Sequence, residues 1–388
     1  MPPLCLFRRS VTRCGAGSLL ALLLTSLYGC PATGPTTVGA NSHNRFAYVT
    51  NTDDNTVSRY AINDLTGNLT PLGITPVGHS PRSVVTFTNL QTNLHYAYVA
   101  NAADKTISQF QIQKDGNLKP LSPPTVAAGL NPSVLASGGS GESEIDVLNQ
   151  GDNTAMRYTA NADGTLKLNE TGHTGAVPYD VVTVQGEKEV VNAADSTMSL
   201  FDAHFNPLAP ATLPTGGTPV GIFFQNSRLF VANKDSSTLS QFPLSPDGIP
   251  QPAQATISAP GNPLSITGDG YARIYVATQS GKILQYSVAN ALGEAPIIVY
   301  IPTPVTPLNP PAVNFAAQPA VIRSAVIRFF DGNVYLVANK ARRILHFQAN
   351  QDGTLGAGSN NVPTTGSNPT SIAFINTSGS DTLQTTVQ

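Results

Sequence analysis

One short pattern returns seven times along this chain, and no other feature limits the fold as tightly. The first copy is Tyr48-Val49-Thr50-Asn51, followed by Thr56-Val57-Ser58-Arg59-Tyr60. The second is Tyr98-Val99-Ala100-Asn101, followed by Thr106-Ile107-Ser108-Gln109-Phe110. Shorter matches stand at Val147-Leu148-Asn149, Val190-Val191-Asn192 and Phe230-Val231-Ala232-Asn233. The last two are Tyr275-Val276-Ala277-Thr278 and Leu336-Val337-Ala338-Asn339, each one residue shorter to its aromatic, Tyr286 or Phe347. Units of about 40–50 residues suit four antiparallel strands, the size of a propeller blade.

The strands of a unit can be placed. Apolar runs such as Ser83–Phe87, Val181–Val184 and Ala325–Phe329 are read as innermost strands. The Tyr-Val-x-Asn run is the second strand, and the alternating Thr-x-Ser-x-aromatic run is the third. Asp115-Gly116, Asp163-Gly164, Asp247-Gly248 and Asp352-Gly353 then supply tight hairpins into a fourth strand. Gly-x-x-Pro turns, from Gly78 to Pro81 through Gly366 to Pro369, return the chain to the axis. The first unit lacks an innermost strand, and Ser371-Ile372-Ala373-Phe374-Ile375 at the far end is one without a successor. Pairing the two removes an open sheet edge. The sequence therefore predicts an all-β, seven-bladed β-propeller of four-stranded antiparallel blades over residues 45–376. The C-terminal strand 371–375 closes the ring in the first blade, and residues 377–388 form a tail. The proline-rich stretch 302–319 is expected as a surface loop.

The N-terminus has a different character. Arg8, Arg9 and Arg13 precede a short apolar core, Leu19 to Leu24, as in an export signal. Leu27-Tyr28-Gly29-Cys30 resembles the lipobox of bacterial lipoproteins, in which cleavage precedes a cysteine that carries lipid. The resemblance implies a signal peptide over residues 1–29 and lipidation at Cys30, and the aperiodic Pro31-Ala32-Thr33-Gly34-Pro35-Thr36-Thr37 behind it reads as a flexible tether over 30–44. The plain secretory alternative leaves Cys30 incidental. The uncharged stretch from Cys14 to Tyr28 is shorter than the ~20 residues that cross a bilayer core. All three cysteines lie at or before Cys30, so the rest of the chain has no disulfide, thiolate site or cysteine nucleophile. The expected location is the bacterial cell envelope, anchored to a membrane through lipid on Cys30.

Over nearly all of residues 44–376 the repeat resembles the YVTN group of seven-bladed propellers. These are close to the lactonase-type propellers that include 6-phosphogluconolactonase. In that family the Gly-x-x-Pro turn often continues as Pro-Arg-His. Here His79-Ser80-Pro81-Arg82-Ser83 keeps the arginine, and no copy keeps the pair.

Chemistry is sought where the repeat breaks, near the central channel. His79 and His173 are candidate bases, Arg82 a candidate holder of negative charge, and Asp180 a companion beside Pro178. Tyr179 is a candidate ligand contact. Arg323 and Arg328 flank the innermost strand of the last blade, and alternation lets only one face a channel. The repeated Asn51, Asn101, Asn149, Asn192, Asn233 and Asn339 are read as structural, their amides bonding loop backbone. Asp54, Asp104, Asp152 and Asp195 are read the same way. No metal or cofactor is expected. Charged residues are only 11% of the chain and the net charge is −2, which gives no basic surface for nucleic acid. The main functional expectation is a lipid-anchored envelope propeller that binds a small molecule or an envelope protein. The alternative is a lactonase-like hydrolase acting on a lactone in the channel.

Overall fold

The computed structural model describes residues 44–137, 143–270, 273–288, 298–300, 325–330, 332–339, 341–350, 355–356, 358 and 363–377. The expected signal peptide, Cys30, the tether before residue 44, the proline-rich loop, Arg323, Asp352-Gly353 and the tail after residue 377 lie outside them.

The second sheet shows the plan. Pro81–Asn89 is innermost, followed outward by Leu94–Asn101, Thr106–Ile112 and Leu118–Ala127, all antiparallel. The same four-strand order begins again at Pro132–Ser137, Pro178–Val184, Pro219–Gln225 and Pro263–Gly268. The remaining four-stranded sheet joins the chain ends, with Pro369–Asn376 inside Arg45–Asn51, Thr56–Ile62 and Leu69–Pro76. Phe46 faces Ile375, Tyr48 faces Ala373 and Val49 faces Ile372 across the seam, the closure expected from the sequence.

The last sheet has three described strands, Ala325–Phe330, Asn333–Ala338 and Arg343–Gln348. Among the described residues the complete four-stranded blades therefore number six, not the seven expected, and a seventh sheet has three strands. Much of the segment after Gln348 lies outside the described residues, and what is described contributes only single bridges, Ala349 to Leu355 and Arg343 to Thr364.

Burial follows from this layering. The second strands are the most deeply enclosed, and the outermost strands Leu69–Pro76 and Leu118–Ala127 are largely exposed. The core forms between sheets: one cluster packs Tyr98 and Ala100 of the second sheet against Ile145 and Val147 of the third.

The repeat tyrosine explains part of this packing. Tyr48 donates to the Gly116 carbonyl of the next sheet at 3.1 Å, and Tyr98 donates to that of Gly164 at 2.8 Å. Tyr335 does the same to Gly67 at 2.7 Å, across the seam of the ring. Each latch joins one blade to the hairpin of its successor, and each hairpin glycine has positive φ (69° to 82°). Tyr98→Phe should cost about 1–2 kcal/mol, because a buried carbonyl loses its donor. Urea denaturation checks this; an unchanged stability would reject the latch.

The tyrosine also corrects the register of the seventh copy. Tyr335 pairs with His346 as Tyr48 pairs with Arg59, eleven residues apart in both. Ala338, not Asn339, thus stands in the asparagine position, opposite Arg343.

Candidate functional site

The inward turns are built by the repeated polar residues. Asn101 donates to Thr106 Oγ1 at 3.1 Å and to Ser108 Oγ at 2.9 Å. Asn51, Asn192 and Asn233 make the same pair of bonds to the following strand. At Asn101 and Asn192 these side-chain partners stand in place of the loop backbone partners expected. Asn51 and Asn233 also accept, from the turn N–H groups of Gly366 and Gly216. A Cβ on Gly78 would stand 2.6 Å from Asn101 Cγ, so only glycine allows this approach. The aspartates behave alike: Asp54 accepts from Ser367 N–H, Asp152 from Leu130 N–H and Asp104 from His79 N–H. These bonds hold the Asp54 and Asp104 carboxyls below their ordinary range.

Each turn ends on a residue forced to positive φ just before the proline, and Val177 is one of them (φ 58°). A β-branched side chain there is strained. A bulge follows at the first residue after the proline in the second to sixth sheets, for example between Pro81 and Ser83 and between Pro178 and Asp180. The bulge breaks the alternation of faces. It frees Arg82, Ser133, Tyr179, Val220 and Leu264 from regular pairing at one end of the inner strands.

Arg82 and Tyr179 stand out in that set. Arg82 is exposed and has no hydrogen-bond or ion-pair partner among the described residues. Tyr179 is half-buried and packs against two interblade clusters. Burial raises the Tyr179 phenol above its ordinary value, the Asp180 carboxylate adds to this, and the Arg82 guanidinium opposes both. The two residues stand at the same point after the proline, on the innermost strands of the second and fourth sheets.

Of the other expected site residues, His79 alone stays close to Arg82 along the chain. His79, 71% exposed, lies on the turn leading to Arg82, its Nδ1 2.8 Å from Asp104 Oδ1. Asp180 accepts from Ile222 N–H at 3.1 Å and from Val181 N–H, stitching the fourth inner strand to the fifth. His173 ends Leu166–His173, the outermost strand of the third sheet, away from the inner strands that carry Arg82 and Tyr179. Arg328 lies in Ala325–Phe330, its side chain outside the description. Among the described residues no group of three or more His, Cys, Asp or Glu is placed to hold a metal ion.

A second group of charges went unread in the sequence. Where other copies carry the repeat tyrosine or phenylalanine, the third has Asp146 and the fourth has Glu189, both buried. Lys188, 1% exposed, donates to Asp146 across the interface and to Thr183 Oγ1 at 3.2 Å. Arg157, 3% exposed, lies 3.4 Å from Glu144, 3.4 Å from Glu170 and 3.7 Å from Asp146. Glu170 reaches His204 at the exposed edge and raises its proton affinity by hydrogen bonding. Phe205 receives both cations on its ring face, at 5.6 and 5.7 Å. The signal was present: the aromatic is missing before Val147-Leu148-Asn149 and before Val190-Val191-Asn192.

Radial four-stranded sheets around an inner wall, with the last strand paired to the first, define a β-propeller. Residues 29–129 match the model of the family described as Lactonase, 7-bladed beta-propeller. A candidate 6-phosphogluconolactonase from Bacteroides fragilis has 14% identity and a TM-score of 0.68, over 87% of this chain and 99% of that one. A protein from Lactobacillus plantarum has 14% identity and a TM-score of 0.66, over 85% and 99%. The periplasmic gluconolactonase PpgL of Pseudomonas aeruginosa has 14% identity and a TM-score of 0.60, over 85% and 99%. At such identity the likeness is one of fold. No curated protein matches the chain.

Proposed function

We propose that this chain is a lactonase-like hydrolase that opens a lactone at the mouth of the propeller channel, in a ring of seven blades. The observation that carries the reading is Arg82, an exposed guanidinium with no partner among the described residues, on the innermost strand of the second sheet. The family model matching residues 29–129 supports the same class. In the reaction, a water oxygen attacks the lactone carbonyl carbon while His79 Nε2 takes the water proton. Asp104, bonded to Nδ1, orients that ring. Arg82 holds the oxyanion. Collapse breaks the ring C–O bond, and the leaving alkoxide takes the proton back from His79, giving a hydroxy acid. The test is a hydrolysis screen of five- and six-membered sugar lactones with the purified soluble part. Opening no faster than in buffer for every lactone overturns the reading.

A binding module is the second reading, favoured by the same open guanidinium, which offers a contact to an anionic ligand. Ligand-induced stabilisation without turnover would select it. We also propose that the chain is an exported lipoprotein of the cell envelope, cut before Cys30. Labelled palmitate should appear on the wild-type chain in cells and vanish in Cys30→Ser; an unlabelled wild type rejects the anchor.

A further inference from the structure

The strand Glu187–Asn192 opens with three charged residues, and strand alternation divides them between two interfaces. Lys188 turns to the third sheet and meets Asp146. Glu189 turns to the other face. Its cross-strand neighbours are Val182 and Leu200, both part of the apolar cluster formed with Ile222, Leu229 and Phe242 of the fifth sheet. Glu189 is 0% exposed, and neither carboxyl oxygen has a hydrogen-bond partner on another of the described residues. Glu187 Oε2 is buried and unmatched as well.

We propose that Glu189 is a proton-binding site: it is a neutral carboxylic acid at neutral pH, and the joint between the fourth and fifth sheets is tight only in that form. A lone carboxylate in apolar surroundings is too costly to keep, so such a group takes a proton instead. Burial and the neighbouring Glu187 charge both push this carboxyl well above its ordinary range, and Lys188 on the opposite face and the residue's own backbone N–H oppose them more weakly. The packed elements bring little else that titrates. Thr197–Phe201 and Pro219–Gln225 contribute no ionisable side chain. Pro178–Val184 brings Tyr179 and Asp180, and Asp180 is engaged by Ile222 N–H. Arg228 donates to Gln254 at 2.8 Å, and Asp247 sits in the hairpin at Gly248. Tyr179 packs against the same apolar cluster, so the joint abuts the channel wall.

The sign follows from linkage. The folded chain holds a proton that the unfolded chain releases above the ordinary glutamate range. Stability from this group is complete below that range and is lost as pH rises through the folded value. Urea denaturation of the full chain from about pH 5 to about 10 tests it, against Glu189→Gln. The unfolding constant of the wild type should rise relative to the variant about tenfold per pH unit, then level off. Glu187→Gln should move the levelling to lower pH. Parallel profiles for wild type and Glu189→Gln overturn the proposal. Should the glutamine variant not fold, Glu189→Met gives the same comparison. Infrared spectroscopy of the wild type at neutral pH reads the protonated carboxyl stretch directly, and carboxylate bands alone would also overturn it.

Discussion

Arg82→Ala should lower lactone turnover about 100- to 1,000-fold, the usual cost of removing one donor that stabilises an oxyanion. The loss should fall on kcat more than on KM, because charge on the carbonyl oxygen develops in the transition state. Lysine at the same position should restore part of the rate, since it supplies the charge without the planar fork. His79→Ala should cost about 100-fold or more if that ring is the base. His173→Ala, altering the far end of an outermost strand, should leave turnover unchanged. Initial-rate measurements on the four variants separate the cases. Equal turnover by wild type and Arg82→Ala would remove Arg82 from the chemistry. A fall with His173→Ala would contradict the placement of the site.

Lys188→Ala should destabilise the chain by about 3–5 kcal/mol, the cost of breaking a buried ion pair from one side. That is a large share of the ~5–15 kcal/mol that holds an ordinary domain together. The reason is the partner left behind. Asp146 is 1% exposed, and burial already pushes its carboxyl upward against the attraction of Lys188 and Arg157. Without Lys188 the group keeps an uncompensated charge or binds a proton, and either choice costs free energy. Replacing both partners, Asp146→Leu with Lys188→Met, should recover most of the loss, because neither desolvated charge remains. Urea denaturation of the two singles and the double gives the coupling directly. Additive losses would show that the pair does not act as a unit.

These two sites differ in how they could be read. Arg82 was legible because it follows Pro81 in a turn that recurs, so its place on an inner strand followed from counting. Its electrostatic influence on Tyr179 was not, since the two lie in different repeats, on the inner strands of different sheets. The Asp104 contact to His79 was missed for a more local reason: it joins the turn before the inner strand of the second sheet to the loop after that sheet's second strand, and no spacing rule pairs the two. Asp146 and Lys188 form a cross-sheet contact, and no spacing along one strand reveals it. In the seventh copy the asparagine beside Ala338 misled the alignment by one residue. The structure sets the register by the Tyr335 hydroxyl and its reach to Gly67.

Amino-acid order alone determined the blade plan, the strand order and the pairing of the tail with the first blade. Each depends on periodicity and turn chemistry within about fifty residues, or on a strand missing at one end and present at the other. The folded ring alone decided which charges are buried, which find partners and which side chains share the inner wall. Those outcomes depend on the face each residue shows to a neighbouring sheet, and on the low polarity between sheets, where an unmatched charge becomes expensive.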